Sequence, residues 1–209
     1  MEKIKQKRIF EKFIRTRSPL NSEEILEKFQ VYLELLFIEN EKVNLFSRKT
    51  SKEDFWTIHF LDSVLPIQHF NFSNKIVLDF GSGGGLPGIP LKLIYPSAEV
   101  YLLDSTHKKI RAMKNIVKKL DLKGCFTIVS RLENLDKKWE NYFDIIVCRA
   151  VRILPEYKKA MFKLLKNDGS ILIYKSKKLD DIKQFSSVRF YDLSHPEIGE
   201  RQIVEIKKE

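Results

Sequence analysis

The chain predicts an α/β fold: a mostly parallel seven-stranded sheet that ends in an antiparallel hairpin, with a helical extension ahead of it. Three observations carry this expectation. From residue 76 onward, short apolar runs alternate with helical patterns. The runs are near-continuous, as in Phe143-Asp144-Ile145-Ile146-Val147, which suits parallel strands covered on both faces. The last two strand patterns have no helix between them, which makes a hairpin.

The elements follow in order. Residues 1–17 read as a short basic helix burying Ile9, Phe10, Phe13 and Ile14. Ser22-Glu23-Glu24 caps an amphipathic helix running to about Glu39, with Phe29, Tyr32, Leu33, Leu36 and Phe37 inward. Another helix spans about Ser51 to His69 and carries His59, Leu61, Asp62, Ser63 and Leu65. Residues 1–70 are therefore expected to form a helical extension packed on a core of residues 71–209, in one compact domain. Strands are expected at 76–80, 100–104, 126–129, 143–148 and 170–174, and helices at about 88–95, 106–120 and 155–166. Pro87 and Pro155 fall near helix starts, where proline is tolerated. The hairpin pairs Ser187–Ser194 with Arg201–Lys208, turning through Pro196 and Gly199.

Composition narrows the function classes. Apolar residues make up 43% of the 209, with 15 Phe, enough for a sizeable core. The two cysteines, Cys125 and Cys148, form no metal-like pair, and the four histidines are scattered. No metal site is expected, and the cysteine usage suits a reducing cytoplasm. No run of about 18 apolar residues is present, so no membrane span is expected. The charged first 17 residues lack the apolar stretch of a secretion signal. The net charge is +10, with an isoelectric point near 9.4. Residues 1–17 hold seven basic side chains against Glu2 and Glu11, a net of +5. Lys108, Lys109, Arg111, Lys114, Lys118 and Lys119 follow one another along the helix after residue 106. Such clusters suit a polyanionic partner, most simply nucleic acid, although solvated lysine faces give the same pattern.

The segment with most chemistry is Lys75–Pro90, KIVLDFGSGGGLPGIP. A buried strand ending at Asp79 breaks into glycines, which let the backbone approach a ligand. In a parallel sheet this is where a nucleotide-like cofactor sits. Gly83-x-Gly85-x-x-Gly88 fits a dinucleotide fingerprint. Gly81-x-Gly83-x-Gly85 equally fits the loop of S-adenosylmethionine (SAM) methyltransferases. Asp104 ends the next strand 23 positions after Gly81, where an acid accepts ribose hydroxyl protons in either class. The terminal hairpin matches the Rossmann-like layout of class I SAM-dependent methyltransferases. An NAD(P)-dependent oxidoreductase would continue with parallel strands or a substrate domain. A non-enzymatic RNA-binding protein is the third reading, against which the loop and its acid speak.

The chain resembles the bacterial 16S ribosomal RNA guanine-N7 methyltransferase family known as RsmG or GidB. The resemblance covers about residues 22–208. It rests on Val43-Asn44-Leu45, His59-Phe60-Leu61-Asp62-Ser63, the loop Gly81–Pro90, Leu103-Asp104-Ser105 with Lys108-Lys109, Ser130-Arg131-Leu132-Glu133, Arg149-Ala150 and Lys175. It implies SAM as cofactor and 16S ribosomal RNA or the small subunit as partner. The family's cofactor contacts carry over to Gly81, Leu86, Leu132, Glu133 and Arg149; Gly83, Gly85 and Asp104 join them from the loop reading. Three features depart from the family: residues 1–17 have no counterpart, Gly84 stands where Ala or Pro is common, and Cys148 where Ser or another small residue is.

Guanine N7 offers an in-plane lone pair and no proton. Its methylation requires no base or nucleophile from the protein, only alignment of methyl and base about 3 Å apart. The chain agrees: no Asn-Pro-Pro-Tyr-like motif for an exocyclic amine follows the fourth strand, where Cys148-Arg149-Ala150-Val151 stands. Cys148 raises the alternative of a cysteine nucleophile for cytosine, but a packed small residue is expected. Arg149 is the candidate catalytic residue, shaping the pocket or approaching the base; a structural pairing with Asp79 or Asp144 is its other reading. His59 and Asp62 share a helix face and are expected to pack rather than react. Lys175, Lys177, Lys108 and Lys109 are the candidate RNA contacts.

Overall fold

Strand β1 (Ile76–Phe80) shows how the sequence sets the layers. Val77 packs into one apolar cluster and Leu78 into the other, and neither is exposed. Successive strand residues face opposite sides, so a strand covered on both reads as a near-continuous apolar run, broken in β1 only by Asp79. The structure, a computed structural model, describes residues 5–18 and 21–208. Its sheet also contains β2 (Glu99–Asp104), β3 (Cys125–Val129), β4 (Phe143–Arg149), β5 (Leu165–Lys175), β6 (Val188–Asp192) and β7 (Gln202–Lys207). The order is β3-β2-β1-β4-β5-β7-β6. The first five strands are parallel, β7 runs antiparallel to β5, and β6 antiparallel to β7. This is the mostly parallel seven-stranded sheet with a terminal hairpin that the sequence predicts. Burial follows position: Ile203, Val204 and Ile206 of the inner β7 are fully buried, while Phe190 of the edge strand β6 is exposed.

Helices α1 (Lys5–Arg17), α2 (Ser22–Lys42), α5 (Gly88–Ile94) and α6 (His107–Lys119) share a core with one face of the sheet. The other face packs on α7 (Pro155–Leu164) through Met161 and Leu164. Helix α1 buries Phe10 and Ile14 completely and Ile9 and Phe13 partly. The N-cap of α2 is Asn21, not Ser22: its Oδ1 accepts the Glu23 N–H at 3.1 Å. The expected helix 51–69 is segmented. It comprises α3 (Lys52–Phe55), a π-helical stretch (Trp56–Leu61), α4 (Asp62–Val64) and a 3-10 turn (Leu65–Gln68). The wider π turn presents Trp56 and Phe60 to Phe10, with ring centroids 5.4 and 6.0 Å away, and π turns of this kind recur near functional sites.

Candidate active site

The turn after β1 is built by close approach. Gly81 takes φ +75°, and a side chain there would meet Val151 Cγ2 at 2.6 Å. Its N–H and that of Ser82 donate to the Leu103 carbonyl at 2.9 and 3.0 Å, and Gly83 N–H donates to Asp104 Oδ2 at 3.2 Å. The turn is thereby tied to the end of β2. Gly88 opens α5, and a Cβ there would sit 2.7 Å from Asp79 Oδ2. Without one, Asp79 accepts the Gly88 N–H at 2.8 Å and caps the helix. The extension supports the turn from below: Tyr32 donates its hydroxyl to the Gly84 carbonyl at 2.7 Å. Asn40 Oδ1 accepts the N–H groups of Leu45 and Phe46. Sequence reasoning placed Tyr32 only in the core and missed Asn40; a polar residue at the buried end of α2 was its one signal.

A cleft of about 290 Å³ lies at the carboxyl ends of β1, β2 and β3. Gly81, Asp104, Leu132, Glu133 and Val151 line it. Four residues expected at a cofactor site thus converge, from three separate strand ends. Asp104 is also a local organiser, since its Oδ1 accepts the Thr106 N–H at 2.8 Å at the start of α6. Gly83 reaches the site through Asp104. Gly85 and Leu86 are buried behind the turn, Leu86 within the apolar core, and neither lines the cleft.

Two buried polar atoms beside the turn, Asp79 Oδ1 and Ser82 Oγ, have no hydrogen-bond partner. Burial pushes the Asp79 carboxyl up to about 7, against the opposing pull of the Gly88 N–H. Unpaired buried polar atoms are costly. A cofactor with a charged amino-acid head supplies partners for them, and one with a ribose suits Asp104, so the residues present fit SAM.

Arg149 does not line this cleft. Its Nη1 lies 2.9 Å from Asp62 Oδ2 and its Nη2 3.3 Å from His59 Nδ1. The expected alternative partners, Asp79 and Asp144, are engaged elsewhere: Asp144 pairs with Lys166 at 2.9 Å. Burial, and next the Arg149 charge, lower the His59 pKa to about 4, so its ring is neutral near pH 7. Cys148 is fully buried, and burial pushes its thiol up to about 12. A thiol so placed is neither ionised nor reachable, which removes the nucleophile reading.

The candidate RNA lysines separate. Lys108 is exposed beside a groove of about 360 Å³ between α2 and α6 that Arg111 and Asn115 also line. Lys109 is half-buried next to it. Lys177 is exposed and 3.5 Å from Glu200. Lys175 differs from the expected phosphate contact: its side chain is 12% exposed and its ammonium is paired with Asp181, because the chain after β5 folds back over it. Among the described residues, no cluster of His, Cys, Asp or Glu could hold a metal ion. No helix among them is long and apolar enough to cross a membrane.

Comparison with known proteins places these features. Residues 25–198 match the family profile of GidB, rRNA small subunit methyltransferase G. A protein named ribosomal RNA small subunit methyltransferase G from Mesoplasma florum is 36% identical over 77% of this chain and 67% of its own length. One of that name from Macrococcus caseolyticus is 34% identical over 74% of this chain and 65% of its own. One from Streptococcus pneumoniae serotype 19F is 32% identical over 83% and 74%. The matched segments thus span about two thirds of the first two relatives. Among solved structures, magnesium protoporphyrin IX methyltransferase from Synechocystis with bound SAM is 18% identical. It covers 85% of this chain and 97% of its own, with a TM-score of 0.59. A SAM-dependent methyltransferase from Aquifex aeolicus is 16% identical, covering 75% and 93%, at 0.58. At those identities the likeness is one of fold: the class I methyltransferase sheet.

Proposed function

The chain belongs to the GidB family, rRNA small subunit methyltransferase G, and from that premise we propose that it transfers a methyl group from SAM to N7 of a guanosine in 16S ribosomal RNA. The observation that carries this reading is the cleft itself. A glycine turn, a strand-end acid and a loop acid, Gly81, Asp104 and Glu133, meet at the carboxyl edge of a parallel sheet. In this reading Asp104 accepts ribose hydroxyls, and Leu132 and Glu133 border the adenine. SAM supplies an electrophilic methyl on a sulfonium. The N7 lone pair forms the new N–C bond as the donor's S–C bond breaks, the electron pair stays on sulfur, and no proton leaves N7. The chain therefore has to orient and exclude water, not abstract a proton. The buried Cys148 thiol and the neutral His59, its ring tilted against Phe55, agree with that division of labour. The oxidoreductase reading is not favoured, because the sheet closes with the antiparallel strands β7 and β6. The site of action would be the cytoplasm, where ribosomal RNA is.

Transfer of labelled methyl from SAM to 16S ribosomal RNA, followed by nucleoside analysis, tests the proposal. The expected product is 7-methylguanosine. Recovery of 5-methylcytidine, or of no methylated nucleoside, overturns it.

A further inference from the structure

A second cleft, of about 440 Å³, adjoins the cofactor cleft. Ala150, Val151, Arg152, Lys175 and Asp181 are among the residues that line it. Val151 lines both clefts, so one residue forms their common wall. The chain makes this wall by a strained turn: Ala150, directly after β4, has φ +59°. That conformation is disfavoured for a residue with a Cβ, and such strain collects at working sites.

The second cleft also contains a buried ion pair. Lys175 Nζ lies 2.7 Å from Asp181 Oδ1 and 2.5 Å from Oδ2, and the side chains are only 12% and 10% exposed. Asp181 Oδ2 accepts the Ile153 N–H at 2.8 Å, which fixes the pair to the strained turn. Burial would raise the Asp181 carboxyl, but Lys175 and the Ile153 N–H outweigh it, so the carboxylate is ionised. A pair this dry is an expensive way to hold a loop, since apolar packing does so at lower cost. It does, however, set a fixed donor beside a fixed acceptor. On the rim, Arg152 and Lys178 are exposed and make no ion pair among the described residues.

We propose that this cleft receives the acceptor guanine, and that Lys175 and Asp181 read its Watson–Crick edge, Lys175 donating to O6 and Asp181 accepting from N1–H. The inference rests on the methyltransferase reading above, because transfer requires acceptor and donor in touching sites. Guanine presents an acceptor, O6, next to a donor, N1–H. Adenine presents the reverse, so the pair repels it. A base held by that edge leaves N7 unblocked. Attack from N7 puts positive charge on the ring and makes N1–H more acidic. The hydrogen bond to Asp181 then strengthens as the bond to methyl forms, an interaction worth more in the transition state than before it. Arg152 and Lys178 are left to meet the flanking phosphates.

The test places 2-aminopurine riboside, by splinted ligation, at the 16S ribosomal RNA position that the wild type methylates. This base keeps N7 but has neither O6 nor N1–H. Rates of labelled methyl transfer are compared on guanosine and 2-aminopurine RNA for wild type, Lys175→Gln and Asp181→Asn, with SAM affinity followed by calorimetry. The wild type should favour guanosine by about a hundredfold or more, the loss when a hydrogen-bonding site meets an analogue without the groups. Both variants should bind SAM within about twofold of wild type, react more slowly with guanosine, and lose the preference to about fivefold or less. If Asp181→Asn does not fold, Lys175→Gln decides, since it retains the Asp181 contact to Ile153. A wild type indifferent to the two bases, or variants with the wild-type preference, overturns the inference. Failure of the wild type to make 7-methylguanosine in unmodified RNA overturns the proposed function instead.

Discussion

Arg149, at the end of β4, holds Asp62 of α4 across 87 positions of sequence, Nη1 to Oδ2 at 2.9 Å. The other carboxylate oxygen accepts from Arg201 Nε at 2.8 Å, just before β7. One carboxylate therefore joins the helical extension, the carboxyl edge of the sheet and the terminal hairpin. The Arg149 and Asp62 side chains are 13% and 11% exposed, so water screens the pair poorly.

Asp62→Asn removes the charge that neutralises both guanidinium groups. Breaking one side of a buried pair costs about 3–5 kcal/mol. In a chain of this size that lowers the melting temperature by on the order of 10 °C. A scanning calorimetry shift of less than about 2 °C, well below that estimate, would show that the network is solvated and of little weight.

His59 and Asp79 shape stability against pH in opposite senses. His59 has a folded pKa of about 4 against a usual 6.5, lowered first by burial. Between those values the unfolded chain binds the extra proton, so stability rises with pH. Asp79 has a folded pKa of about 7 against a usual 3.8, raised by burial. Between those values the folded chain holds the extra proton, so stability falls as pH rises. From pH 5 to 6.5 the two slopes oppose each other, and the acids whose pKa values are lowered, such as Asp144 and Asp181, are already ionised in both states. The wild type should be nearly flat there. His59→Gln should lose stability as pH rises, and Asp79→Asn should gain it, each by about 1 kcal/mol per pH unit. Urea midpoints at pH 5 and 6.5 check this; equal slopes in all three proteins refute it.

Local signals made part of this legible in sequence. Apolar runs bounded by glycine and acid marked β1 and β2 to within a residue. Strand β5 was the least legible. After Leu165 its residues Lys166 to Gly169 are polar or small, and the pairing with β4 skips them, jumping from Leu165–Phe143 to Ser170–Ile145. In the site, Gly81 follows β1 and Asp104 ends β2, which pattern reveals, whereas Leu132 and Glu133 rest on the family resemblance. Arg149–Asp62 and Lys175–Asp181 are tertiary choices with no periodic trace. The turn at Ala150 was hidden because alanine, unlike glycine or asparagine, does not announce a positive φ.

Asp104 has two duties, and its substitution should reveal both. Its oxygens accept the Thr106 and Gly83 N–H groups, so it fixes the turn that leads into α6 and the glycine turn before any cofactor arrives. Asp104→Ala should cost about 1–3 kcal/mol of stability, because the Thr106 and Gly83 N–H groups lose their acceptor. It should also weaken SAM by roughly tenfold or more, the loss of a charge-assisted hydrogen bond. Calorimetric titration of the folded variant with SAM measures the second effect. An unchanged affinity would confine Asp104 to holding the two turns.

The basic N-terminal segment now has to be tested by charge rather than by deletion. Lys3 of that run lies outside the described residues. Helix α1 buries Phe10 and Ile14 completely, and removing it would open the core; Phe10→Ala alone should cost about 3–5 kcal/mol. Arg8 and Lys12 on its outer face and Arg17 at its C-terminal end are all exposed and without an ion pair among the described residues. If that face tracks the RNA backbone, each cation that meets a phosphate releases a counterion, and affinity falls with salt in proportion to their number. The triple variant Arg8→Gln, Lys12→Gln, Arg17→Gln keeps Phe10 and Ile14 and should fold with an unchanged melting temperature. Its binding to 16S ribosomal RNA should weaken, and the slope of log affinity against log salt should drop by about 2–3. A slope equal to that of the wild type would leave α1 a packing element only, its cations solvated.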